Sequence, residues 1–246
     1  LIHAAEVWQM CSKGARTFGV SVEGASFDWT KVQKRRELAT TKGTMGIDLL
    51  MKNAGVTVIH GTGRLSAPGK LKVETAEGVL EYEAGKIILA TGSTIANLPG
   101  MEPDGKRILN SDHVLQLEHV PASMVVLGAG AVGLELASVM QSFGCQTTLV
   151  ELMDQVLPLE DPECAAVVEK ALKRQKMKVL TGTKATGVEK TETGVICTLK
   201  NIAAGTSENV EAECLLVAVG RKPVTRDLGL DTVEVVVDRR GYIQTD

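Results

Sequence analysis

At 246 residues, with 44% hydrophobic content and 25 glycines, the chain is long enough for two domains with buried cores and is neither disordered nor fibrous. A net charge of −3 and an aromatic content of 3% leave no broad basic surface and few rings to stack on bases, so nucleic acid is excluded as an expected partner. No stretch approaches the apolar length that crosses a bilayer, and residues 1–10 lack the charged-then-apolar order of a signal peptide, so a soluble chain with no membrane partner is expected.

Residues 1–13 read as the later part of a helix, because Leu1, Ala4, Ala5, Trp8 and Cys11 recur at helical spacing. A second helix is predicted behind Asp28 as N-cap, running to residues 53–54 and stopped by Gly55; Gly43 and Gly46 weaken it from within. Its Lys31, Lys34, Arg35 and Arg36 form the main basic run and read as a solvated helix face. The pattern then turns to β: a strand over 56–60, a hairpin of 71–75 with 79–83, and an unalternating apolar run over 86–91 that suits a strand buried on both faces of a parallel sheet. Pro99, Gly100, Pro103 and Gly105 mark a linker.

After Pro121 a complete alternating unit follows: strand 123–127, helix 131–143, strand 146–151, helix 162–176 and a short strand 178–180. This is the βαβαβ order of a nucleotide-binding half-fold. Residues 186–214 read as three short strands, and 214–219 as one more buried strand ending at Gly220. A turn-rich β insertion thus precedes a final parallel strand in both halves. The expected fold class is α/β, with two Rossmann-like dinucleotide-binding domains, each carrying a small β insertion.

Cys11, Cys145, Cys164, Cys197 and Cys214 are scattered, with no close pair to clasp zinc or form a redox disulfide, and each reads as a small buried hydrophobe. His3, His60, His113 and His119 are likewise isolated, and no metal is expected.

The chemistry lies in Gly128-Ala129-Gly130-Ala131-Val132-Gly133, directly after a predicted strand and opening a predicted helix. Gly128 permits the tight turn, Gly130 lets the backbone approach a pyrophosphate, and Gly133 lets helix and strand pack closely. The helix N-terminus offers unpaired N–H groups and partial positive charge to phosphates. Glycine-rich turns also serve ordinary strand–helix packing, so the decisive addition is Glu151, 23 residues after the first glycine and at the end of the next strand. A carboxylate there accepts both adenine-ribose hydroxyls and repels a 2′-phosphate. Leu152, Met153 and Asp154 supply no arginine to hold that phosphate, so NAD is expected over NADP; the alternative is a solvated loop carboxylate.

The run from Val126 through Gly128, Gly133, Leu134 and Glu135 to Ala137, with Ala90-Thr91-Gly92-Ser93 upstream and Val219-Gly220-Arg221-Lys222-Pro223 downstream, resembles the pyridine nucleotide–disulfide oxidoreductase family. The resemblance covers essentially the whole chain and is closest to the members that oxidise dihydrolipoamide. It implies residues 1–112 as part of an FAD-binding domain, 113–236 as an inserted NAD-binding domain, and 237–246 as the start of the return to the FAD domain. It places Gly63, Thr91, Gly92 and Ser93 against FAD, and Gly128, Ala129, Gly130, Ala131, Val132, Gly133, Leu134, Glu135, Glu151, Ala185 and Gly220 along the NAD site. Glu135 is implied to orient the nicotinamide for hydride transfer; by its position alone it is equally a solvated first-turn carboxylate.

The family mechanism passes electrons from a dithiol to a cysteine pair spaced CxxxxC, then to FAD, then to NAD. No such spacing occurs here, and no histidine matches the family's acid/base position. By resemblance the cysteine pair and the first FAD-binding glycine motif precede Leu1, and the interface domain with its histidine follows Asp246. The expectation is therefore an internal fragment that binds NAD, holds FAD weakly, and does not itself oxidise dihydrolipoamide. For the whole protein the resemblance implies a homodimer in the mitochondrial matrix, serving the lipoyl domain of a 2-oxo acid dehydrogenase complex or of the glycine cleavage system. The alternatives are another flavoprotein reductase or NADH oxidase of the same family, a non-catalytic binding module, and an unrelated α/β protein whose glycines serve packing only.

Overall fold

The computed structural model describes residues 1–245. In chain order it contains α1 (Ile2–Gln9), α2 (Trp29–Asn53), β1 (Thr62–Ala67), β2 (Lys70–Thr75), β3 (Gly78–Glu83), β4 (Ser93–Ile95), β5 (Ile108–Leu109), α3 (Ser111–Leu115) and β6 (Ser123–Leu127). There follow α4 (Ala131–Ser142), β7 (Gln146–Val150), α5 (Pro162–Arg174), β8 (Lys178–Leu180), β9 (Thr183–Lys190), β10 (Val195–Asn201), β11 (Ser207–Ala212), β12 (Cys214–Val217) and β13 (Arg221–Pro223). The chain forms two compact units, one of residues 1–40 with 96–220 and one of 41–95 with 221–246. Among the described residues no helix is long and apolar enough to cross a membrane.

The larger unit is built on a five-stranded parallel sheet in the order β5-β12-β6-β7-β8. Its central strands are near-continuous apolar runs because both faces are covered. Met124 and Val126 point into one core with Leu134, Ala137, Met140 and Leu149; Val125 and Leu127 point into a second with Val150, Leu215, Val217 and the inner face of the β9–β11 sheet. The 3.6-residue spacing of Gly133, Leu134, Leu136, Ala137, Val139 and Met140 buries one stripe of α4. α5 starts where Asp161 accepts hydrogen bonds from the Glu163 and Cys164 N–H groups, with Pro162 preset for the first turn. A chain of edge-to-face rings, Trp8–Phe27–Phe143–Trp29, anchors α1 and the start of α2, and the Trp29 indole donates to the Leu117 carbonyl at 2.8 Å.

Asp104 braces the edge of this unit. Its Oδ1 accepts from the Lys106, Arg107 and Ile108 N–H groups at 2.9 Å each, and its Oδ2 lies 2.7 Å from the Lys190 ammonium on β9. Partial burial pushes this carboxyl up, but Lys190 and the N–H donors outweigh it and hold it well below the usual carboxylate range. A carboxyl depressed on folding stabilises above its unfolded value, and that contribution fades as pH falls through the ordinary aspartate range toward the folded one. Asp104→Asn is therefore expected to lower stability at neutral pH by on the order of 1 kcal/mol, the gap from wild type closing with acidification in urea titrations.

The smaller unit contains the antiparallel β1-β2-β3 sheet and the β4–β13 ribbon. Gly229, at φ +71, has no room for a side chain, since a Cβ there would stand 2.1 Å from the Leu65 carbonyl oxygen. The predicted hairpin forms as β2 and β3, and the helix predicted behind Asp28 forms as α2, continuing through Gly43 and Gly46 and ending before Gly55 at φ +68. Lys31, Lys34 and Arg35 are exposed on it.

Two strand expectations in this unit fail. Residues 56–60 and 86–91 take no strand, and Ile88 is 90% exposed. A strand buried on both faces needs ladder partners for its backbone N–H and C=O groups, and among the described residues neither run has one. Apolar composition records a tendency to be buried, not the presence of a neighbour.

The cysteines also divide. Cys145, Cys197 and Cys214 are buried, and burial pushes their thiols up to about 11, about 11 and about 12. Cys11 and Cys164 are exposed, against expectation, because each falls on the solvent side of its helical segment. Titration of the native protein with a disulfide reagent is expected to modify Cys11 and Cys164 at once, and the buried three only in denaturant.

Candidate functional site

The parallel sheet creates the site by its strand order. From β6 the next strand, β7, lies on one side while β12 lies on the other, so the crevice at the carboxyl end of β6 is a topological switch point where open α/β sheets bind ligands. The Gly128–Gly133 loop sits there, entered from β6 and leaving as α4.

Each glycine answers a different constraint. Gly128 has φ +100, and a Cβ on it would stand 2.4 Å from the Ala218 carbonyl oxygen at the end of β12. A Cβ on Gly133 would stand 1.9 Å from the Gly128 carbonyl oxygen, so the first turn of α4 packs directly on the loop. A Cβ on Gly130 would meet nothing within 4 Å. The fold therefore does not need glycine at 130, and the open space over it is the cradle that a close-approaching ligand requires. Gly130 caps α4 without a side-chain hydrogen bond, and no partner among the described residues engages the N–H groups of Gly130, Ala131 or Val132. These are orphan donors of a helix N-terminus facing an open space, the chemistry of a pyrophosphate cradle.

Glu151 follows β7 and is 7% exposed. Its Oε2 accepts from the Ala129 N–H at 2.7 Å and its Oε1 from the Met153 N–H at 3.0 Å. The carboxylate is thereby fixed against the glycine loop, with lone pairs left for two ligand hydroxyls. No lysine or arginine forms an ion pair with Glu151 among the described residues.

The structure gathers Gly128, Ala129, Gly130, Ala131, Val132, Gly133, Leu134 and Glu151 at one end of the sheet. Gly220, exposed at φ +126 beyond β12, joins the same end, its carbonyl accepting from the Ala96 N–H at 3.0 Å. Glu135 is exposed on α4. Ala185 lies in β9 opposite Leu199 and packs on the second core; β9 is tied to the site through the Thr183 N–H, which donates to the Glu151 carbonyl at 2.9 Å.

Of the residues expected against a flavin, Gly63 lies in β1 paired with Val73, whereas Thr91, Gly92 and Ser93 lead into β4. The Thr91 hydroxyl donates to the Val224 carbonyl at 2.6 Å, and Ser93 accepts from Arg221 through both its hydroxyl, at 2.7 Å, and its carbonyl, at 2.6 Å. The Gly92 carbonyl also accepts from the Val224 N–H at 3.1 Å, so this segment is tied to the strand that follows β12, while the space beside the Gly92 Cα is open, a Cβ there meeting nothing within 4 Å.

Sequence reasoning assigned no role to Ala218 or to the segment 155–160. Leu157, in that segment, has φ +48 and donates its N–H to the Ala129 carbonyl at 2.8 Å. Only Pro158 and the N-cap Asp161 signal order there, and neither reveals that the segment reaches the glycine loop.

A doubly covered parallel sheet with a glycine cradle and a fixed carboxylate at its switch point defines a dinucleotide-binding protein. The family model for pyridine nucleotide-disulphide oxidoreductases matches residues 8–246, and the chain belongs to that family. The matched domain is the flavin- and NAD-binding domain of these enzymes. Dihydrolipoyl dehydrogenase 3 of Pseudomonas aeruginosa is 37% identical over 246 residues, covering 99% of this chain and 52% of the relative. Dihydrolipoamide dehydrogenase of Chaetomium thermophilum is 38% identical over 230 residues, covering 93% of this chain and 46% of the relative. The crystal structure of LpdA from Mycobacterium tuberculosis superposes with a TM-score of 0.86 at 28% identity, covering the whole chain and 53% of that structure. The chain spans about half the length of the curated relatives it matches.

Proposed function

We infer that this chain is the nucleotide-binding part of a dihydrolipoyl dehydrogenase, and that its glycine cradle binds NAD in preference to NADP. The observation that carries the cofactor choice is Glu151, buried against the loop, bonded to the Ala129 N–H and without a cationic partner among the described residues. The curated relatives named as dihydrolipoyl and dihydrolipoamide dehydrogenases support the reaction.

In this reading the Gly130, Ala131 and Val132 N–H groups hold the pyrophosphate, and Glu151 accepts the adenine-ribose hydroxyls. Leu134, Ala185 and Gly220 line the same site. Glu135, exposed and free of ion pairs among the described residues, orients the nicotinamide carboxamide. Gly63, Thr91, Gly92 and Ser93 hold the flavin through backbone contacts. FAD, when bound, supplies the relay between a dithiol and the nicotinamide. The functional domains follow as 1–112 for flavin, 113–236 for NAD and 237–246 for the return to the flavin domain. A homodimeric whole protein in the mitochondrial matrix, working on a lipoyl domain of a 2-oxo acid dehydrogenase complex or the glycine cleavage system, belongs to the same proposal and rests on the family resemblance.

The test is an assay of the whole protein that contains this sequence, following NADH formation from dihydrolipoamide. Turnover with NAD+ and little with NADP+ is expected; absence of turnover with dihydrolipoamide overturns the substrate assignment. Glu135→Gln in that protein is expected to slow hydride exchange between NADH and flavin by about tenfold while NADH affinity changes little.

A further inference from the structure

We propose that Leu157 is a positioning residue for the pyrophosphate cradle, acting as a backbone latch that aims the Gly130 N–H. This rests on the reading of the glycine loop as a nucleotide site.

The argument follows the peptide planes of the loop. The Gly128 N–H donates to the Val150 carbonyl at 2.8 Å, and the Ala129 N–H to Glu151 at 2.7 Å, so both groups are held by the end of β7. The next plane joins Ala129 to Gly130. Its bond is trans, so its C=O and N–H point in opposite directions. The Leu157 N–H, 2.8 Å from the Ala129 oxygen, holds the carbonyl end. Holding that end turns the Gly130 N–H the other way, and no protein group among the described residues receives it. Leu157 therefore sets the direction of a donor it never touches.

The latch is held in an unusual backbone state. Leu157 is one of four non-glycine residues with positive φ among the described residues, and the left-handed region is unfavourable for a residue with a Cβ. Pro158 disfavours the right-handed helical state of the preceding residue and leaves an extended one as the competitor. Because φ sets the N–H relative to the following carbonyl, an extended Leu157 could not keep its N–H on the Ala129 oxygen while its carbonyl stays bonded to Gln155 and Glu160, and loss of the first bond would free the Ala129–Gly130 plane to rotate. Neighbouring bonds oppose that release. The Gln155 side-chain amide donates to the Leu157 carbonyl at 3.3 Å and to the Glu160 carbonyl at 3.0 Å, and the Glu160 N–H donates to the Leu157 carbonyl at 2.9 Å. Val156 is fully buried beside it, and Leu157 packs half-buried on the same core.

Two substitutions separate the backbone role from side-chain packing. Leu157→Val keeps an apolar side chain but disfavours positive φ; Leu157→Asn loses apolar packing but tolerates it. Binding of NADH, ADP and adenosine to the full chain is measured by NMR titration, which reads millimolar affinities, and amide exchange of Leu157 is followed without nucleotide. The expected result is that the valine variant binds NADH and ADP about tenfold more weakly and adenosine unchanged, because only a fraction of its molecules present the cradle. The asparagine variant is expected to stay within about twofold of wild type for all three ligands. The Leu157 amide is expected to be protected in the wild type and to exchange freely in the valine variant.

A valine variant that binds like wild type, an asparagine variant weaker than valine, or equal losses for ADP and adenosine would overturn the latch while leaving the nucleotide site intact. An unprotected Leu157 amide in the folded wild-type protein overturns it without any ligand. Failure of the folded wild type to bind NADH or ADP overturns both the latch and the nucleotide reading.

Discussion

Alanine at position 133 is expected to weaken NADH binding strongly and to destabilise the parallel-sheet unit, whereas alanine at position 130 weakens binding strongly and leaves stability intact. At 133 the new methyl would lie 1.9 Å from the Gly128 carbonyl oxygen, a backbone atom that cannot swing aside as a side-chain tip can. Either α4 moves off the loop or Gly128 moves into Ala218, whose carbonyl already stands 2.4 Å from any Cβ that position 128 might carry. Overpacking at such a junction costs about 3 kcal/mol. At 130 the new methyl meets nothing within 4 Å and the backbone has an ordinary negative φ, so the fold accepts it. The methyl instead occupies the space the pyrophosphate must enter, and affinity falls by roughly 100-fold, the scale of losing two charge-assisted hydrogen bonds. Urea unfolding and NADH titration of the two variants read the two effects separately. Stable protein with normal NADH affinity in Gly130→Ala would show that the cradle does not hold the nucleotide.

Glu151→Ala carries the second large effect. It removes the acceptor for the Ala129 and Met153 N–H groups as well as the acceptor for ribose hydroxyls. Each buried donor left unsatisfied costs about 1–3 kcal/mol, so the glycine loop loosens at the same time as the ligand loses its partners. NADH affinity is expected to fall by roughly 100-fold. NADPH affinity should fall less, because the same substitution removes a negative charge that opposes the 2′-phosphate. The preference therefore narrows even as absolute binding weakens. Glu151→Gln separates the contributions: it retains an acceptor for one donor, loses the charge, and is expected to lie between wild type and alanine for NADH while favouring NADPH relative to wild type. Equal losses for NADH and NADPH in both variants would assign Glu151 to loop support alone.

The parallel-sheet unit was legible because its signals are local and agree with one another. The apolar run 123–127, the glycines that follow, the helix pattern over 131–143 and the strand over 146–151 each act over a few residues and point to one topology. In the smaller unit the hairpin over 71–75 and 79–83 was legible from its strand composition, and the end of the preceding helix from Gly55. Gly55, Gly69 and Gly78 take positive φ where α2 ends and where the β1–β3 sheet turns. The runs 56–60 and 86–91 have strand composition and no strand, since pairing depends on a neighbour that composition does not specify.

The candidate site divides in the same way. Gly128, Gly130, Gly133 and Glu151 announce themselves by spacing. Glu151 was legible as a ligand acceptor but not as the residue that binds the loop, because its bond to the Ala129 N–H spans 22 positions and depends on β6 and β7 lying side by side. Leu157 was not legible at all: nothing in a leucine before a proline announces a left-handed backbone or a hydrogen bond to a loop 28 residues earlier.

Calorimetric titration of the wild-type chain with NADH and with NADPH tests the central claim most directly. NADH binding at one site, tighter than NADPH by roughly tenfold or more, is the expected result, since like charge opposed across a buried carboxylate costs at least one decade of affinity. Equal affinities, or tighter NADPH, would contradict the assignment of Glu151. Absence of heat with either nucleotide on a folded chain would contradict the glycine loop as a dinucleotide site.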